Sequence, residues 1–361
     1  MKILVLAPYN AAIIKRFVTT LKGNDVEVVI ASHDAGSEEG VYDLGPLRSL
    51  FDYFRTFKLN KIITEFRPDV IHAHYATHYG VMAALQGRVP FILALWGSDI
   101  LVASTKGSLI KRTFYRYLIK FVVKKASMCH SSGAHVCSEA SSLSGEKDSK
   151  FHSFFWGIVP SHLKSVNHYD DVSKLDEEFG LRDKKVVLCA RGVGDIYRPD
   201  YIASLIARNH RSLAAQGIRI VVLRASASDT EVRRFNNLTC DEEAHFTFVD
   251  RMLNDKELAY VYSKCIVHVS VPYSDSLGGG VVEPVFTGSF PILSDLPGNR
   301  WFVDNFWGEI VDASSCTVDL LSIVGSIDDV RKERVVAKVC NEMSERQVVS
   351  RLMGLFKRVA E

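Results

Sequence analysis

Short apolar runs rich in valine and isoleucine alternate along the chain with segments whose apolar residues recur every three or four positions. KILVLA at the start, then VEVVIAS, DVIHAH and FILAL, have the length and the β-branched content of strands. Between them, 11–22, 47–66 and 76–86 mix spaced apolar residues with charges, as crossover helices do. Strands apolar on both faces and separated by helices predict a parallel sheet covered on both sides. After the charged stretch 164–184 the pattern restarts with VVLCA, IRIVVLR, HFTFVD, CIVHVSV and FPILSD. Asn254 and Glu257 have capping-box spacing at the head of DKELAYVYSK. A charged helical stretch is expected over about 329–358. The chain thus reads as two doubly wound α/β domains with a hinge within 157–184. The expected limits are 1–165 and 166–340, with a C-terminal helix over 341–361 free to cross back to the first domain.

At 361 residues the chain is too long for one ordinary core and suits two. With 47% apolar and 24% charged residues it is globular rather than disordered or fibrous. A net charge of +2 shows no nucleic-acid footprint in the totals, and no nucleic-acid partner is expected. No apolar run approaches the roughly 18–20 residues that span a bilayer. The opening MKILVLAP is too short for a secretory apolar region and reads as a strand. Seven scattered cysteines without a CxxC argue against a disulfide framework or a zinc site. A cytoplasmic protein with reduced thiols is the expectation.

In open α/β sheets ligands bind beyond the carboxyl ends of the strands. That directs attention to SDSLGGGVVEPVFTGS, 274–289, where the chain's only three consecutive glycines lie between two acids, Asp275 and Glu283. A glycine-rich turn opening a helix exposes backbone N–H groups and the positive end of the dipole to an anion. Pro284 is compatible with a first turn, whose amides lack intrahelical partners. A carboxylate inside such a helix repels phosphate but accepts hydrogen bonds from vicinal hydroxyls. The pattern suits a nucleotide joined to a sugar, while spacing alone leaves a plain turn with surface acids equally open.

VPYSDSLGGGVVEPVFTGSFPILSDLPGNRWFVDNFWGEIVD resembles the C-terminal signature of retaining glycosyltransferases of family 4, which have the GT-B fold. Asp275 and Glu283 stand where that family has an E-x₇-E pair. PDVIHAHYATHYG, LALWGSDIL and ARGVGDIYRPD resemble further blocks of the same family, in the same order. The resemblance implies two Rossmann-like domains facing across a cleft, and roles for particular residues. Glu283 would hold the donor's ribose hydroxyls, and Asp275 would contact the transferred sugar. The amides of Gly278, Gly279 and Gly280 would lie against sugar and distal phosphate, and Arg191 would pair with the departing diphosphate. Base selectivity is expected at the backbone around Val249 and Met252. No D-x-D occurs, in keeping with the metal-independent habit of the fold, so no cofactor is expected beyond the nucleotide sugar itself.

The chain departs from that family at two places. A lysine usually follows the arginine by five or six positions; here those are Ile196 and Tyr197, leaving Arg198 or Arg224 as substitutes. Trp96 stands where many relatives have histidine; indole only donates, so stacking on a sugar face replaces hydrogen bonding. Asp99 either contacts the acceptor or caps the next segment. His74 and His78, at a strand end, are acceptor-side candidates. His72 and His74 share a face of an extended segment but have no nearby carboxylate to complete a metal site, and none is expected. His130 and His135 flank another strand end.

From Leu101 to Ser138 there is no acid, while Lys106, Lys111, Arg112, Arg116, Lys120, Lys124 and Lys125 accumulate. Arg112, Arg116, Lys120 and Lys124 repeat every four residues, a stripe on one helix face. Such a stripe attracts anionic lipid at roughly 1 kcal/mol per basic residue; it equally suits the outer face of a docked helix. Contact with the inner membrane surface through 107–125 is therefore expected. The resulting function is sugar transfer from a nucleoside diphosphate to a saccharide or lipid-linked saccharide, in cell-surface polysaccharide or glycolipid synthesis. A sugar-nucleotide epimerase of the same architecture and a non-catalytic nucleotide-sugar-binding subunit are the alternatives.

Overall fold

A computed structural model describes residues 1–35, 40–105, 107–159 and 172–361. The chain divides into two compact units, Met1–Ile158 with Glu345–Glu361, and Val159–Ser344. The boundary expected at 165/166 lies outside the described residues, as does Lys106.

In chain order the first unit contains β1 (Lys2–Leu6), α1 (Ala12–Lys22), β2 (Glu27–Ser32), β3 (Val41–Asp43), α2 (Phe57–Phe66), β4 (Val70–His74), α3 (Gly80–Gln86), β5 (Phe91–Leu95), α4 (Leu109–Lys125), β6 (Met128–Ser131), α5 (Ala134–Ser144) and β7 (Phe151–Ser153). The strands form one parallel sheet in the order β3-β2-β1-β4-β5-β6-β7. β4 and β5 lie in its middle and every one of their residues is buried, as helices on both faces require. The expected helix 47–66 begins instead as a short 3₁₀ turn, Leu50–Phe54, before α2. That over 76–86 begins as a wide turn, Tyr75–Tyr79, before α3.

The second unit contains α6 (Val172–Phe179), β8 (Lys185–Cys189), α7 (Pro199–Ala214), β9 (Ile218–Leu223), α8 (Asp229–Leu238), β10 (Phe246–Val249), α9 (Asp255–Lys264), β11 (Cys265–Ser270), α10 (Gly279–Val285), β12 (Phe290–Ser294), α11 (Pro297–Asn305), β13 (Glu309–Val311), α12 (Leu320–Ser326) and α13 (Asp329–Met343). Its parallel sheet runs β10-β9-β8-β11-β12-β13. Asn254 and Glu257 form the capping box that starts α9. Each unit has its own apolar core, built on β4 and β5 in the first and on β8, β9 and β11 in the second.

The helix expected over 329–358 is two helices, because Ser344 adopts an extended conformation (φ −62°, ψ 155°). The expected boundary at 340/341 therefore falls inside α13. The last helix, α14 (Glu345–Ala360), groups with the first unit. There Glu345 accepts a hydrogen bond from Thr20 at 2.9 Å, and Phe356 meets the ring of His72 edge-on.

Candidate active site

In the second sheet the strand order reverses between β8 and β11, so the loops leaving their carboxyl ends frame the crevice where doubly wound sheets take ligands. Arg191 lies two residues beyond β8, and Asp275 lies in the loop between β11 and α10. Arg191 Nη2 donates to Asp275 Oδ2 at 2.7 Å and to the Tyr197 hydroxyl at 3.3 Å. The guanidinium also sits over the Tyr197 ring, 5.0 Å from its centre. Burial works against the charge of Arg191, but Asp275, with Tyr197, Tyr262 and Glu283 behind it, outweighs burial and raises the pKa.

Arg191 also explains the glycines. A Cβ on Gly280 would lie 2.6 Å from Arg191 Cδ, and one on Gly278 would strike the guanidinium, 2.8 Å from Cζ. A Cβ on Gly279 would lie 2.9 Å from Glu283 Oε1. The bare stretch is what lets a cation and a carboxylate lie against the main chain. Glu283 is buried and accepts from the hydroxyl of Tyr262 at 3.2 Å. α10 starts at Gly279, which puts Pro284 in its second turn rather than its first. The missing Pro284 N–H therefore denies the Gly280 carbonyl its helical donor.

Neither substitute for the missing lysine joins Arg191. Arg198 Nη1 donates to the Ala313 carbonyl at 2.7 Å, and its guanidinium stacks 3.9 Å from the centre of the Tyr273 ring. Arg224 is held by Asp250 at 3.0 Å, by Asp229, and by the Ala227 carbonyl. Val249 is buried at the end of β10 with its carbonyl taken by the Arg224 amide at 3.0 Å. Met252 is exposed. β9 lies between β10 and β8, so the loop holding Met252 leaves a strand two places from the one that leads to Arg191.

In the first unit the order reverses between β1 and β4. His74 ends β4, fully buried, and its Nδ1 accepts from the Trp96 indole at 3.0 Å. One face of Trp96 is covered by Tyr75, ring centres 4.5 Å apart. His78 is half-buried, bonded to Thr77 Oγ1 at 2.8 Å, and burial lowers its pKa. Asp99 accepts three amides, Ala76 at 2.7 Å, Gly97 at 3.0 Å and Trp96 at 3.1 Å. It fastens the loop after β4 to the loop after β5. Burial pushes its pKa up to about 6 against those hydrogen bonds.

His72, His74 and His130 meet in one buried cluster. His72 Nε2 and His130 Nε2 are 2.8 Å apart, so one ring carries the shared proton. They reach across β5 because Ala94 lies in register with both His74 and His130 and leaves room. Phe17, Phe154, Trp156 and Phe356 close around the rings. Among the described residues no group of three or more His, Cys, Asp or Glu is arranged to hold a metal.

Residues 2–131 match the model of the glycosyl transferase 4-like family. The whole chain is similar in fold to HepE of Anabaena, solved in complex with UDP-glucose (14% identity, 99% of this chain and 100% of that one, TM-score 0.75). It is similar as well to sucrose-phosphate synthase of Thermosynechococcus elongatus (15%, 99% and 98%, TM-score 0.74). A glycosyltransferase of Rickettsia africae is a third such structure (13%, 100% and 98%, TM-score 0.75). The chain has the GT-B fold. The sequence match runs from β1 to β6; over the second unit the likeness is one of fold. No curated protein matches the chain by sequence.

Two parts of this candidate site escaped sequence reasoning. Tyr197 stands at one of the positions where the lysine was expected and instead lies beneath Arg191. Tyr262, on α9, orients Glu283. Helical spacing places Tyr262 with the buried Ala259, so only its hydroxyl, which a buried tyrosine must satisfy, marked it out.

Proposed function

We propose that the chain is a retaining glycosyltransferase that moves a sugar from a nucleoside diphosphate to a saccharide or lipid-linked saccharide. The observation that carries this reading is Arg191 lying against Gly278 and Gly280 at the switch point, with Glu283 beside them. Arg191 holds the diphosphate, and its fixed charge stabilises the negative oxygen left as the anomeric bond breaks. The acceptor hydroxyl attacks from the side of the leaving group and passes its proton to the departing phosphate oxygen. Bond and proton thus balance without a protein nucleophile. Glu283, oriented by Tyr262, accepts hydrogen bonds from ribose hydroxyls, and Asp275 from those of the transferred sugar. Charge neutralisation by Arg191 is the part a metal would otherwise play, and no step here calls for one.

HepE's bound UDP-glucose makes UDP-glucose the first donor to test. In a thermal-shift panel of UDP-, GDP-, ADP- and CMP-sugars, one ligand at 100 times its dissociation constant adds about 2.7 kcal/mol of stability. Glu283→Ala abolishes most of that shift. A panel in which no sugar nucleotide stabilises the parent defeats the proposal, and a changed sugar nucleotide released without acceptor marks an epimerase instead.

The proposed acceptor side faces a membrane through α4. That helix buries Leu118, Ile119, Val122 and Val123 and leaves Leu109, Ile110, Phe114, Tyr117 and Phe121 exposed among Lys111, Arg116, Lys120 and Lys124. Phe51 and Phe57 are exposed too, with Phe57 at 85% and Ile110 at 83%. Apolar side chains ringed by cations fit an anionic bilayer surface, where lipid-linked acceptors lie. No helix among the described residues is long and apolar enough to cross a membrane. In flotation, the protein rises with anionic liposomes and not with neutral ones, and Ile110→Ser with Tyr117→Ser reduces the bound fraction. Equal behaviour on both liposomes ends this part of the reading.

A further inference from the structure

Arg191 and Asp275 are ion-paired at 2.7 Å, yet the reading above assigns them to different parts of one ligand. The pair is largely enclosed, with the arginine side chain 21% exposed and the aspartate 12%. Asp275 is held on both oxygens, since Oδ1 accepts from the Ser276 amide at 2.8 Å. Arg191 Nε is shut off from water and has no partner among the described residues, so it is not open to an arriving ligand. A diphosphate arriving at this guanidinium competes directly with Asp275 for Nη2.

We propose that Asp275 is the resting counter-ion of Arg191 and thereby sets a preference for sugar nucleotides over bare nucleoside diphosphates. The inference rests on the donor-site reading above. When a diphosphate takes Nη2, an enclosed carboxylate loses its cation while a second anion arrives beside it. A sugar nucleotide compensates, because its sugar hydroxyls donate to the released carboxylate. A bare nucleoside diphosphate brings nothing to Asp275. The product left after transfer is in that second position, so Asp275 reclaims Arg191 and favours its release. Asp275 in this role is a specificity-determining residue, whose charge acts against the wrong ligand as much as its oxygens act for the right one.

Calorimetric titration of the full chain with UDP and UDP-glucose tests this; GDP or ADP and their glucose esters replace them where the panel selects those bases. The parent binds the sugar nucleotide at least about tenfold tighter than the bare diphosphate. Asp275→Asn tightens the bare diphosphate about tenfold and weakens the sugar nucleotide, so the preference vanishes. Asp275→Glu keeps the charge and retains part of the preference; it is also the reading to take should the asparagine variant not fold. Dissociation constants that change by the same factor for both ligands, in either variant, overturn the inference and leave Asp275 a structural ion-pair partner. A parent that binds neither ligand instead refutes the donor site itself.

Discussion

Arg191→Ala lowers turnover by about 10²–10³-fold, the usual loss when one fixed donor is taken from a developing oxyanion. Its effect on donor affinity is smaller, since the charge it meets grows as the bond breaks and is only partly present in the bound donor. The substitution has a second consequence: Asp275 loses its 2.7 Å ion pair with Arg191 in a mostly enclosed site. The variant is therefore less stable as well as slower. Adding Asp275→Asn removes the stranded charge and restores stability without restoring turnover. Steady-state kinetics with melting curves on the single and double variants separate the two effects. Turnover equal to the parent's in Arg191→Ala contradicts the leaving-group role.

Mild acid destabilises the first unit. Burial holds His72 and His74 neutral, their pKa values well below the usual imidazole value, and pushes His130 down to about 3. Below about pH 6.5 the unfolded chain takes up protons at these rings and the folded one does not, so stability falls as pH drops. Each ring costs about 1.4 kcal/mol per pH unit in that window. Asp99 acts in the opposite direction, because its folded pKa of about 6 lies above the unfolded 3.8 and folding there takes up a proton. His152, half-buried, adds to the histidine trend, lowered by burial and by Arg358. The three fully buried rings less one carboxylate alone give a slope of about 3 kcal/mol per pH unit, against a domain stability of about 5–15 kcal/mol. Between about pH 6.5 and pH 4 that slope removes about 8 kcal/mol, enough to unfold a unit at the lower end of that range, and Trp96 and Trp156, packed on His74, report it by fluorescence. His72→Phe with His130→Phe leaves His74 as the one fully buried ring against Asp99 and flattens the acid limb. A parent whose melting temperature, read from the tryptophan signal, is the same at pH 6.5 and pH 4 contradicts the prediction.

The two parallel sheets were legible because their central strands are apolar on both faces. Strands of three residues were not: β3, β7 and β13 offer too few positions for any periodicity. The continuous charge of 329–358 hid the break at Ser344, since nothing in a run of helix-formers marks a single extended residue. At the site, glycines flanked by acids pointed to a ligand loop by local chemistry alone. The Arg191–Asp275 pair joins residues 84 positions apart and exists only because β11 lies beside β8. By sequence Trp96 and His74 each suit a saccharide, whereas the structure gives the indole N–H to the imidazole. Such choices between ligand and neighbour depend on which strands adjoin, which no single segment records.

The most direct test is the structure of the chain with a non-hydrolysable sugar nucleotide bound. The account predicts the diphosphate on Arg191, backed by the main chain of Gly278–Gly280, with Glu283 on the ribose and Asp275 turned from the guanidinium to the sugar. A nucleotide seated elsewhere, with Arg191 still paired to Asp275, contradicts it.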